Sequence, residues 1–167
     1  MQYNDLTLDD MKEILKTSKD ITFLNISGNP LGPNLTADIF AGFDRIVYLE
    51  LSESGLKRIE SGAFQAMKKI VKLNIRSANL TKIADGAFNS LSKLIDLRLD
   101  GNKLTSVPDL TGLKKVEVLN LGNNRISNIS SLATSRINYV REMSLTKNQI
   151  EQLPAEVFQN LNVLYAL

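Results

Sequence analysis

The sequence predicts an α/β repeat protein, a solenoid whose strands line up in one parallel sheet. Two observations carry that prediction, a frame that recurs and the alternation inside it. The frame is a hydrophobe, two free residues, a hydrophobe, one free, a hydrophobe, two free, usually Asn, one free and a last hydrophobe. It begins at Ile21, Ile46, Ile70, Leu94, Val116 and Val140, and a seventh copy starts at Leu164 and is cut off at Leu167. The spacings are 25, 24, 24, 22, 24 and 24 residues, a period that marks stacked supersecondary units. An extended surface, rather than an enclosed pocket, is the expected seat of function.

The chain divides into residues 1–20 and the repeats of 21–167. In the first part Thr7-Leu8-Asp9-Asp10 reads as a capping box, and Leu8, Met11, Ile14 and Leu15 fall on one helical face. The segment reads either as a short amphipathic helix covering the first strand or as the back half of an earlier repeat.

Within each frame the fourth and sixth positions alternate with polar neighbours: Leu24/Ile26, Leu49/Leu51, Leu73/Ile75, Leu97/Leu99, Leu119/Leu121 and Met143/Leu145. Period-two alternation gives one short strand per repeat with its apolar side inward. One strand cannot bury that side alone, so the copies stack. At the ninth position Asn29, Asn102, Asn124 and Asn148 stand where the chain bends away and backbone groups need partners, which an amide side chain supplies. Ser54 and Ala78 occupy that place in repeats two and three, which predicts a weak point near Ala78.

The second half of the repeats carries IESGAFQAM, IADGAFNSL and LPAEVFQNL, each with a Phe six residues before the next frame. Phe40, Phe64, Phe88 and Phe158 are expected to stack on the far side of the core. The fourth repeat offers Leu110 instead, and the fifth has no aromatic there, which predicts a thinner or irregular convex side.

On these residues the chain resembles the leucine-rich repeat family, in its 24-residue type with a Phe in the second half, as in Toll-like receptors and Slit-like proteins; the match covers about residues 21–167. The resemblance implies a right-handed curved solenoid, a concave parallel sheet and protein recognition.

Composition agrees with one such domain and narrows the partners. Hydrophobic residues make up 43% of 167, enough for a sizeable core. Twenty basic against 18 acidic residues leave +2 with no basic run, so nucleic acid and anionic membrane are not expected as primary partners. No apolar stretch approaches the length of a membrane span, and no signal peptide follows Met1. The chain therefore reads either as intracellular or as a stretch from within a longer protein. Leu164 and Leu167, opening a repeat that does not close, favour the second. Exposed core at that end also makes a homodimer conceivable.

Four sequons, at Asn25, Asn34, Asn79 and Asn128, are candidate glycosylation sites; the last three fall on loops. Asn and Ser are also what turns use. Together with the resemblance, the sequons point to an extracellular or cell-surface location, with the cytoplasm as the alternative.

Enzymatic chemistry is not expected. The chain has no His and no Cys, which removes the commonest general base, thiolate chemistry and most zinc sites, and no phosphate-binding loop or other cofactor motif occurs. Asp96 and Asp100 occupy adjacent outward positions where nothing desolvates them to serve as an acid/base pair. A calcium site at Glu50, Glu53, Asp96 and Asp100 is interrupted by a basic repeat.

Function is expected on the outward strand positions. There Tyr48, Glu50, Lys72, Asn74, Arg76, Asp96, Arg98, Asp100 and Asn120 form a polar field beside Phe23, with Tyr and Arg among the residues favoured in binding hot spots. The plainer reading is that Lys72, Arg76 and Arg98 neutralise Glu50, Asp96 and Asp100 across strands and keep the face soluble. A glycan on Asn25 would stand on this face and direct a ligand to repeats two to five. The resulting expectation is a recognition module of a receptor, adhesion or secreted immune-type protein. An intracellular scaffold and a chain that self-associates through its C-terminal layer are the alternatives.

Overall fold

The structure is a computed structural model. It describes residues 5–18, 20–159 and 161. The truncated seventh repeat, Leu164 to Leu167, lies outside the described residues, as do the side chains of Leu8, Ile14 and Leu15.

The expected solenoid is what forms. Helix α1 (Leu8–Lys16) is followed by strands β1 (Phe23–Asn25), β2 (Asn34–Leu35), β3 (Tyr48–Glu50), β4 (Arg58–Ile59), β5 (Lys72–Asn74), β6 (Lys82–Ile83), β7 (Asp96–Arg98), β8 (Val118–Asn120) and β9 (Glu142–Ser144). The principal sheet runs β1-β3-β5-β7-β8-β9, every pair parallel, and β2-β4-β6 form a second, smaller parallel sheet. Register is one-to-one along the principal sheet, Leu24 to Leu49 to Leu73 to Leu97 to Leu119 to Met143. That register follows from the period: any slip by one residue would turn these side chains out to solvent.

Leu49, Leu97, Leu119 and Leu121 are fully buried, and the core runs unbroken from Met11 to Leu161. On the far side Phe40, Phe64 and Phe88 stack with centroids 6.2 and 6.1 Å apart. Phe158 does not extend that column. Leu110 and Leu132 fill the two intervening places, and Phe158 is only half-buried against the core while its neighbour Val157 is fully buried. In repeats five and six a 3-10 turn occupies this side, at Ser130–Ala133 and Ala155–Phe158.

The Asn residues work one repeat back as well as locally. Asn102 donates through Nδ2 to the carbonyls of Ile75 (2.7 Å) and Leu99 (2.9 Å) and accepts through Oδ1 from the amides of Ala78 and Leu80, both at 3.0 Å. Asn124 and Asn148 repeat this toward Leu104 and Ile126. The weak point expected near Ala78 is thereby moved. Repeat three is served by Asn102, whereas Ala78 has no amide with which to serve repeat two. Ser54 Oγ, in repeat two, is buried without a hydrogen-bond partner among the described residues.

The residue before each of these positions turns left-handed. Gly28 (φ 68°), Glu53 (56°), Ser77 (50°), Gly101 (74°), Asn123 (53°) and Lys147 (54°) share this conformation in register. At Gly101 a Cβ would stand 2.7 Å from Ser77 Oγ, so a larger residue there needs the Ser77 hydroxyl to turn away.

The N-terminal helix is capped as its sequence suggests. Thr7 N–H donates to Asp10 Oδ2 at 2.8 Å, and Asp10 N–H donates back to Thr7 Oγ1 at 3.3 Å. Met11 is buried in the core, and Lys12 reaches Asp38 at 2.9 Å, tying α1 to the first repeat.

Candidate functional site

Each principal strand is three residues long with its middle residue inward, so its first and third residues face out. Stacking turns these into rows. One row is Phe23, Tyr48, Lys72, Asp96, Val118 and Glu142; the next is Asn25, Glu50, Asn74, Arg98, Asn120 and Ser144. A third lies just past the strands. There Glu53 N–H bonds to Arg76 O, Ser77 N–H to Asp100 O and Asn123 N–H to Thr146 O, holding Arg76 and Asp100 in adjacent rungs.

Glu50 sits at the centre of a neutral network. Tyr48 O–H donates to its Oε2 at 3.0 Å and Asn74 Nδ2 to the same oxygen at 2.8 Å, while the Ser52 hydroxyl donates to Oε1. Ser52 Oγ in turn accepts from Arg76 N–H at 3.1 Å. Burial, and then the bond to Glu50, push the Tyr48 phenol above its ordinary pKa, so it stays a donor. The Tyr48 ring stacks on Phe23 at 4.8 Å with 7° between planes, and Phe23 is 58% exposed.

Both arginines are held by carboxylates. Arg98 grips Asp96, Nε to Oδ1 at 3.0 Å and Nη2 to Oδ2 at 3.3 Å, and this bond raises the guanidinium pKa further. Arg76 Nε meets both oxygens of Asp100, at 3.0 and 3.2 Å. Asp96 corrects the expectation of an outward, solvated carboxylate. It is 8% exposed, covered within its own strand by Arg98. The arginines are thus neutralised, one across strands and one along a strand. Glu50 takes neutral donors instead, and Lys72 enters no ion pair among the described residues.

The named residues divide into neighbouring groups. Tyr48, Lys72, Asn74, Arg76, Asp96 and Arg98 line one shallow depression of about 260 Å³. Glu50 and Asp100 line a second with Asn74 and Arg76. Asn120 lines neither; its Oδ1 accepts from Gly122 N–H at 3.0 Å. Ser52, at an outward position but outside the expected binding set, orients Glu50 and anchors the next rung. A serine past a strand reads as a turn residue, and nothing but its position in register marks it.

Of the sequon asparagines, Asn34, Asn79 and Asn128 are exposed, and Asn25 is half-buried on the sheet face with its Oδ1 accepting from Ser27 N–H at 3.1 Å. Asn128 Oδ1 accepts from Ser130 N–H at 2.8 Å, leaving Nδ2, the atom a glycan joins, outside that bond. Among the described residues no His, Cys, Asp or Glu cluster of metal-binding size occurs, and no helix is long and apolar enough to cross a membrane. The face is an open, ordered polar surface with an aromatic step at one end.

Comparison with known proteins gives the same architecture. The family model described as leucine rich repeat matches residues 68–126. No curated protein sequence matches the chain. Among solved structures, the Leptospira interrogans LRR protein LIC12759 superposes with a TM-score of 0.81 at 22% identity over 96% of this chain. TLR13, crystallised in complex with ssRNA13, superposes with a TM-score of 0.75 at 20% identity over 99% of this chain. The chain spans 40% and 27% of those two structures, respectively. At these identities the likeness is one of fold.

Proposed function

Taking the chain as a leucine-rich repeat protein, a fold that serves protein interaction, we propose that it recognises a protein ligand on its concave sheet face, as part of an extracellular receptor, adhesion or secreted immune-type protein. The observation that carries the ligand site is the order of the face. The ring stack of Phe23 and Tyr48 lies beside two carboxylate-held arginines, so groups favoured in hot spots are already in place before a partner arrives. Lys72, with no ion pair among the described residues, adds a charge for a partner carboxylate. The RNA of the TLR13 structure belongs to that protein; here the sheet face offers paired arginines rather than a run of free cations.

The extracellular part rests on the exposed sequon asparagines and on the repeat type. Intact mass before and after N-glycosidase, on protein passed through a eukaryotic secretory pathway, is expected to show glycans on Asn34, Asn79 and Asn128. Secreted, folded protein with no glycan at any sequon would transfer the reading to an intracellular scaffold. For the binding surface, the wild type and a Phe23→Ala/Tyr48→Ala/Arg76→Ala variant are compared on an array of extracellular proteins. A partner held by the wild type is expected to be lost by the variant; retention at equal strength would place the ligand elsewhere on the solenoid.

A further inference from the structure

The turn before each strand carries a second pattern, away from the sheet face. The residue preceding successive frames is Arg45, Lys69, Lys93, Lys115 and then Tyr139, and Lys68 and Lys114 stand one place earlier. All five lysines are exposed, and none enters an ion pair among the described residues. The arginines of the same edge differ: Arg45 is bound by Asp20 at 2.6 Å and Arg141 by Glu117 at 3.7 Å. Parallel rungs lie about 4.8 Å apart, so the lysines gather over two rung steps, roughly 10 Å, about one Debye length at 0.1 M salt. A local positive field results although the whole chain carries only +2.

An apolar column runs beside these lysines. Val71 N–H donates to Val47 O at 2.8 Å, Ile95 N–H to Val71 O at 2.9 Å and Glu117 N–H to Ile95 O at 2.8 Å, which stacks the four residues. Val47 is 38% exposed, and Val71 and Ile95 are half-buried. Glu117, paired with Arg141, ends the column.

We propose that this edge docks an extended polypeptide segment of alternating acidic and aliphatic residues, its carboxylates among the lysines of the turns and its aliphatic side chains on Val47, Val71 and Ile95. An extended segment presents successive side chains to opposite sides, which matches two parallel columns of opposite character. A sulfated polysaccharide or a nucleic acid would satisfy the lysines and leave the aliphatic column covered by polar groups. The three lysine-bearing rungs also present no aromatic in the turn on which a base could stack. The proposal rests on the reading of the chain as a protein-recognition module and adds a second surface to it.

Fluorescence anisotropy of a dye-labelled peptide alternating Glu and Leu tests it. Lys69→Glu/Lys93→Glu/Lys115→Glu is expected to weaken binding at least roughly tenfold, and Val47→Ser by a smaller factor. A peptide of Glu alone is expected to bind roughly tenfold less tightly than the alternating one. Tyr48→Ala/Arg76→Ala is expected to leave this binding unchanged, so that the sheet-face reading and this one fail separately. Thermal melting matched to wild type shows each variant folded, and Lys→Gln at the same three positions supplies a milder second series. Binding untouched by either series would overturn the proposal. So would poly-Glu, heparin or oligothymidylate binding as tightly as the alternating peptide, since the edge would then be a general polyanion surface.

Discussion

The buried amides show how much one side chain can hold. Asn102 joins four backbone groups from two repeats, and removing it would strand the amides of Ala78 and Leu80 and the carbonyl of Ile75 inside the core. Asn102→Ala is therefore expected to cost at least about 3 kcal/mol, measured by denaturant unfolding. Ser54 is the opposite case. Its hydroxyl is buried with nothing to bond, so Ser54→Ala is expected to be neutral or to stabilise by up to about 1 kcal/mol. A loss above about 1 kcal/mol would mean that Ser54 Oγ has a partner in solution, such as a buried water.

At the scale of elements, strands and helix are held in different ways. The three-residue strands have too few bonds to stand alone and owe their existence to their neighbours in the sheet. Among the described residues, helix α1 meets the solenoid through Met11 and the ion pair of Lys12 with Asp38. Bonds from Lys12 first, and then from Thr36, hold the Asp38 carboxyl down to about 2 from 3.8. Because the folded value is depressed, the stabilisation is present above 3.8 and is lost as pH falls through about 2. Asp38→Asn is expected to lower the melting temperature slightly at neutral pH, with the difference from wild type shrinking as pH falls below 3.8 and vanishing below about 2. A difference that persists unchanged at acid pH would show that the carboxylate charge is not what ties α1 down.

For the whole molecule, the continuous core makes each repeat depend on the next. Leu97, in β7, and Leu121, directly after β8, are fully buried, and Leu97→Ala or Leu121→Ala is expected to cost roughly 2–5 kcal/mol in equilibrium unfolding. A cost below about 1 kcal/mol would contradict the inward placement of these strand positions. The same stacking that builds the core builds the surfaces. Rows of outward residues become a face, and single lysines in successive turns become an edge.

What the sequence by itself determined is whatever repeats with the period. The six strands, their inward leucines and the residues of the outward rows all follow from alternation within a frame, because one register alone buries every hydrophobe. Contacts between repeats were decided only in three dimensions. Asp96 looks solvated in the sequence and is buried because Arg98, two residues on, folds over it. The weak point shifted from Ala78 to Ser54 because each ninth-position Asn serves the repeat before its own. No basic run longer than two appears along the chain, yet five lysines meet on one edge, since residues a full repeat apart in sequence lie one strand spacing apart in space.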